Sequence, residues 1–242
     1  MNKISSMLKT IKNNWSNAPE GSYVPYKEIA AYSVGGAGVY FITAIIGRIG
    51  LTAGSMIVGA SIGITAMDLQ TMNVIVTLIM LLMAPTRAML FDNTKSKMGK
   101  FRPYILSLGL PTAIIGTVFV YLPYETMEYK EKVIAVFVCF TLLQFFSPFY
   151  SSAYSGLVQV MSPNSKERSW IIEISSIIYS FAPTVINPII PQIGPLDKIE
   201  TYRIAFPVFC TIGVIVSMLC VFGTKERVIV PKQYVQKMNF FE

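Results

Sequence analysis

Apolar residues run through this chain in blocks of about twenty, separated by short charged connectors, and about twenty is what a helix needs to cross the hydrocarbon of a bilayer. In lipid a backbone can satisfy its own polar groups only as a helix or a closed barrel, and runs of this length and uniformity suit the helix. The composition agrees. With 53% hydrophobic and 14% charged residues, the chain falls well short of the roughly 25% charge of ordinary soluble domains. The fold class expected is an all-α membrane protein.

The connector at residues 92–103 orients the rest. It carries Asp92 together with Lys95, Lys97, Lys100 and Arg102, between apolar runs at 72–91 and 104–122. A charge at the bilayer centre costs about 2.5 to 3.5 kcal/mol on insertion scales, so this segment lies outside the membrane. Short loops rich in Lys and Arg stay in the cytoplasm. Counting outward from it gives six spans: a first within 29–67, then spans ending at Phe91 and covering 104–122, 133–161, 169–190 and 202–223. The long 29–67 run reads either as one tilted helix with an outer extension or as a helix followed by a re-entrant outer segment. Of the 20 Lys and Arg residues, 14 then fall on inner segments, which places both termini in the cytoplasm of a multi-pass cell-membrane protein. Residues 1–28 read as a cytoplasmic arm, 29–223 as the bundle and 224–242 as the start of a central cytoplasmic loop. Gly35, Gly36, Ala37 and Gly38 form a small-residue patch on which another helix can approach closely.

The net charge of +7 does not mark a nucleic-acid protein, because the cations sit at the ends of apolar runs instead of along a stripe. Cys139, Cys210 and Cys220 lie in apolar stretches with no metal or redox spacing, and read as small buried hydrophobes. No histidine is present, and no nucleophile–base pair or phosphate-cradling glycine loop points to an enzyme, a metal or a cofactor. The polar start has no apolar core of signal-peptide length, so no cleavage is expected.

The connector also carries a resemblance. Thr94-Lys95-Ser96-Lys97, Gly99-Lys100-Phe101 and Arg102-Pro103 stand in the order found between helices two and three of the glycoside-pentoside-hexuronide:cation symporters, the melibiose-permease-like branch of the major facilitator superfamily. Residues 162–168, with Glu167 and Arg168, resemble the family's loop between helices four and five. Gly223-Thr224-Lys225-Glu226-Arg227 resembles the run that opens its central loop. Members have twelve helices, so the resemblance implies an amino-terminal six-helix half whose carboxy-terminal half belongs to the same or a separate chain. It implies a sugar or glycoside carrier working by alternating access between two bundles. The alternative is a non-transporting membrane subunit or a truncated remnant.

The resemblance also implies a cation site built from carboxylates on helices one, two and four. Here Tyr40 falls near the first position, Met80, Met83 and Ala84 near the second and Ser151 near the third, so that site is expected to be absent from this half. Candidate sugar contacts are the polar side chains on apolar spans: Tyr40, Ser151, Tyr154, Asn187 and Gln144. Arg48 joins them if the first helix is long enough to hold it at mid-depth, where it would bind an anionic sugar; if the helix ends near Gly50, Arg48 reaches the outer headgroups instead. Arg87, Asp92, Lys95, Lys97, Lys100, Arg102, Glu167 and Arg168 are expected to form an inner-face charge network in which Asp92 and Arg168 latch the outward-facing state. Glu173 is expected to pair with a neighbouring cation.

Overall fold

In the computed structural model of the chain, residues 11–51, 56–94 and 96–228 are described. Within them six helical spans are long and apolar enough to cross a bilayer. Pro25 occupies the N-cap of α1 (Tyr26–Ile46), and Glu28 lies in its first turn, where a carboxylate suits the positive end of the helix. The helix starts three residues before the expected bundle boundary and ends at Ile46. In the described residues of the remainder, 47–51 and 56–65, the long apolar run continues as a second segment outside any α-helix. Ile49, Leu51, Ile57, Val58, Ile62 and Ile64 are all buried, and Met56–Ser61 makes a π-helical turn. This segment closes one end of the bundle, where the Ile199 amide donates to Ser61 Oγ at 2.9 Å.

The second helix, α2 (Ala66–Asp92), is capped by Thr65, whose hydroxyl oxygen accepts from the Asp68 amide. The Tyr129 hydroxyl donates to the Asp68 carboxylate and to Thr65 Oγ1, tying the start of α2 to the start of α4. Helices α3 (Arg102–Tyr121) and α4 (Tyr129–Met161) follow. The fifth span is two helices, α5 (Ser165–Tyr179) and α6 (Phe181–Ile193). The division has a local cause: Pro183 has no N–H for the Tyr179 carbonyl, and its ring crowds that oxygen. The last span is α7 (Ile199–Gly223).

The spans differ in how they pack. α1 and α7 form the closest pair, with α3 against α7 and α4, and α5 against α1. The glycine patch explains the first contact. A Cβ on Gly38 would meet the Gly213 carbonyl oxygen at 2.6 Å, and one on Gly213 would meet the Gly38 carbonyl at 2.9 Å, so the two backbones touch. Cys210 and Cys220 are buried in this layer and Cys139 is half-buried, all three as free thiols. In contrast, α2 leans on the bundle through α4 and leaves Val74, Leu78, Leu81 and Leu82 exposed.

The two ends are chemically unlike. One, here called the basic face, holds residues 93–94 and 96–101, the 162–164 turn and residues 224–228. The other, the far face, holds residues 47–51 and 56–65 and the connectors at 122–128 and 194–198.

Candidate functional site

Between α1, α4 and α5 a chain of four tyrosines climbs toward the far face. Tyr32 and Tyr154 stack with ring centroids 4.5 Å apart, and each hydroxyl donates to the other's backbone carbonyl at 3.3 Å. Both are 2% exposed. Tyr154, a candidate sugar contact, is thus a core residue that joins α4 to α1. Gly36 makes room for it, since a Cβ there would lie 2.9 Å from Tyr154 Cε2. The edge of Tyr154 meets Tyr40 with centroids 6.3 Å apart, and Tyr40 stacks on Tyr179 at 4.0 Å and 11°. These last two rings are half-buried. The Ser151 hydroxyl donates to its own helix at Pro148 O (3.1 Å), and Gln144 is half-buried.

Arg48 lies two residues beyond the end of α1, near the far face and not at mid-depth. It is half-buried and donates to Asn187 Oδ1 on α6, so the structure brings these two candidates together. Ser33 and Ser175 share a hydrogen bond of 3.0 Å nearer the basic face. Polar contacts therefore join α1 to the fifth span at three heights: Ser33–Ser175, Tyr40–Tyr179 and Arg48–Asn187. Met80, Met83 and Ala84 on α2 bring no oxygen ligand beyond their backbone. Carboxylates on the described helices lie within about two turns of a helix end. Glu173 is the deepest of them along its helix. It is exposed, and no described ion pair includes it.

On the basic face most carboxylates accept from backbone amides and the guanidiniums of Arg102, Arg168 and Arg227 donate to backbone carbonyls. Glu226 accepts from the amides of Lys100 (2.6 Å), Phe101 (3.0 Å) and Arg102 (3.1 Å), which are the otherwise open donors at the start of α3. The carboxylate sits where a side chain at residue 99 would be, and Gly99 has φ +107°, so only glycine fits there. Arg102 Nε donates to the Val221 carbonyl at 2.6 Å, near the C-terminal end of α7. Glu28 takes both arms of the Arg227 guanidinium at 2.8 Å. Arg227 and Val228 in turn donate their amides to the Val160 carbonyl at 2.7 and 2.9 Å. Glu167 accepts from the Tyr23 and Val24 amides and from the Ser162 hydroxyl.

The expected charge network is therefore rearranged. Asp92 pairs with Lys100 at 2.5 Å, while Arg168 donates to the Ser162 and Pro163 carbonyls, so the two proposed latch residues have different partners. With side chains 35% and 55% exposed, the Lys100–Asp92 pair is worth no more than about 1 kcal/mol. Lys97 is exposed and Arg87 half-buried on α2. Lys95, with the outer parts of both termini that carry Lys3, Lys9, Lys232 and Lys237, lies outside the described residues. Glu28, Glu226 and Arg227 were missed as network members. The signal was present in the Thr224-Lys225-Glu226-Arg227 run, which has no apolar role and follows directly on a span.

Comparison with known proteins agrees with this architecture. The family profile described as MFS/sugar transport protein matches residues 31–239. A protein of Escherichia coli K12 provisionally named as a glycoside/cation symporter, YagG, is 28% identical over 147 residues, covering 59% of this chain and 32% of that protein. The inner membrane symporter YicJ of the same organism is 26% identical over 175 residues, covering 70% and 37%. A lactose permease of Leuconostoc lactis is 26% identical over 166 residues, covering 64% and 26%. The matched stretch is thus well under two thirds of each relative.

Proposed function

The chain belongs to the MFS/sugar transport protein family, and on that premise we propose that it is the amino-terminal six-helix half of a carrier for sugars or glycosides. The observation that carries this reading is the polar, half-buried seam between α1 and the fifth span, in a bundle whose helices α2, α5 and α6 are poorly buried by their own neighbours. In a transporter of two repeats the substrate sits near the midplane where the bundles face one another. A carboxy-terminal half docked over α2 and the fifth span would cover their exposed faces and close that seam into a site. The basic face is cytoplasmic in this reading, with both termini on that side of a cell membrane, because its connectors hold the excess of Lys and Arg.

The names of the relatives add sugars and cations. YagG and YicJ carry the word symporter and the Leuconostoc protein the word lactose. For the cation, this half offers neutral groups at mid-depth, and a sodium ion prefers hard oxygens with at least one charge. The carrier is therefore expected to move sugar without a cation bound to charged ligands of this half. The test is uptake of labelled lactose and of neutral and anionic methyl glycosides into proteoliposomes holding the complete two-bundle carrier. Uptake of at least one of them supports the reading, and no uptake of any would favour a non-transporting remnant. Any dependence of the initial uptake rate on sodium or on the proton gradient should survive Glu173→Gln within about twofold. If Glu173→Gln abolished a sodium dependence, that residue would be a cation ligand after all.

The Arg48–Asn187 contact spans α1 and the outer half of the fifth span, and in this reading it closes the far end of the seam. Arg48→Ala, Asn187→Ala and the double replacement should change the uptake rate by the same factor, since each removes one shared contact. Independent, multiplying effects would show that the two side chains act separately.

A further inference from the structure

A sugar needs two things from this face: an apolar ring surface that is not already covered, and hydroxyls that are not already bonded to the protein. Most hydroxyls on the fifth span fail the second requirement. Ser175 donates to the Ile171 carbonyl at 2.6 Å, Ser176 to the Glu173 carbonyl at 2.7 Å, Ser180 to the Ile177 carbonyl at 2.7 Å and Thr184 to the Ser180 carbonyl at 3.0 Å. Ser151 on α4 does the same with Pro148. Tyr32 and Tyr154 fail both requirements, being buried and mutually bonded.

Tyr40 and Tyr179 come nearest to meeting both. Each ring covers one face of the other but both stay half-buried, and their hydroxyls lie together, so that a bond between them engages one of the two O–H protons and leaves the second. Tyr40 stands 14 residues into α1 and Tyr179 is the last residue of α5, each roughly 21 Å along its helix from the basic face at ~1.5 Å per residue. The kink adds a third polar group at the same point, because Pro183 leaves the Tyr179 carbonyl without its helical donor. We propose that the Tyr40–Tyr179 stack is the sugar-binding platform of this half, with the Tyr179 hydroxyl and carbonyl selecting among ring hydroxyls. This rests on the carrier reading above and names the side chains that would do the binding.

Tyr179 also ties recognition to the shape of the span. It is held against α1 by its ring and is joined through Ser180 to α6, which packs on α1 and bonds to it through the Arg48–Asn187 contact. A sugar seated on the stack would bear directly on the joint between α5 and α6.

The experiment uses the complete carrier in proteoliposomes, with lactose and methyl β-xyloside as probes. Tyr179→Phe keeps the ring and removes the hydroxyl. It should raise KM for at least one probe about tenfold, alter the ratio of KM between the probes, and leave the melting temperature of the sugar-free carrier near that of the parent. Tyr179→Leu should raise KM further and remove the protection that sugar gives against thermal unfolding. Tyr40→Phe is the second conservative variant and should shift the same ratio. If the parent transports sugar but all three variants keep its KM values, the platform assignment is wrong while the carrier reading stands. If the parent transports and binds neither probe nor any other glycoside, the carrier reading fails first.

Discussion

Replacing Glu226 by alanine should lower the stability of the bundle by about 3 kcal/mol, the scale set by withdrawing a charged acceptor from several partly buried amides. The reasoning starts at the first turn of α3. Its N-cap residue is Phe101, which has no side-chain oxygen, and Pro103 removes only one of the donors that the helix start leaves open. The amides of Lys100, Phe101 and Arg102 converge instead on one carboxylate delivered from 124 to 126 residues further along. The negative charge also sits at the positive end of the helix. In the alanine variant those three amides and that helix end lose their partner at once, and the 224–228 segment is left holding the bundle through Arg227 and Glu28. For a chain of this size the loss corresponds to a fall of roughly 6 to 12 °C in the melting temperature of the purified protein. Glu226→Gln keeps an oxygen but not the charge and should fall between parent and alanine. Gly99→Ala should resemble Glu226→Ala, because a Cβ at 99 would stand 2.5 Å from the carboxylate oxygens. A Glu226→Ala protein that melts within a degree of the parent would show that water serves those amides as well.

How much of this was readable in advance divides along a physical line. Spans were legible because lipid imposes a length and a polarity that each stretch must meet on its own, and 29–67 was ambiguous because apolarity alone does not distinguish a spanning helix from a buried segment that does not span. Gly35, Gly36 and Gly38 announced a close helix contact. Their sequence did not say that Gly35 and Gly38 would face α7 and Gly36 the Tyr154 ring of α4, since that depends on Cys220, Gly213 and Tyr154, which carry no mark of their own. The basic-face network was legible as a concentration of charge but not as a set of bonds. Intuition paired side chain with side chain, Asp92 with Arg168, whereas most of the carboxylates and guanidiniums there bond to helix-end backbone, which a sequence does not display. Tyr179 was passed over because a tyrosine inside a span is usually a lipid or packing contact. Its candidacy depends on Pro183, which kinks the helix just beyond it, and on Tyr40, 139 residues earlier.

Gly38→Ala should do still more damage than the loss of Glu226, and the reason is geometric. A methyl group at Gly38 would press on the Gly213 carbonyl oxygen at 2.6 Å and on the Ser217 amide, both backbone atoms of α7. A flexible side chain can swing away from a new methyl group, but a helix backbone can yield only by moving the whole helix. α1 and α7 would have to separate, and the opposing Gly213 contact and the Cys220 contact at Gly35 would open with them. Overpacking of a well-packed core costs about 1 to 3 kcal/mol where side chains absorb it; here the expected loss is above about 3 kcal/mol, because separation also forfeits the close packing that holds helices together in lipid. The protein should fail to accumulate in the membrane or should melt more than roughly 10 °C below the parent. Gly47→Ala is the control. That residue has a helical φ of −58°, and a Cβ there would come no nearer than 3.3 Å to any neighbour, the Thr43 carbonyl of the preceding turn. It should accumulate and melt like the parent. Equal behaviour of the two variants would mean that the α1–α7 backbone contact does not set the stability of the bundle.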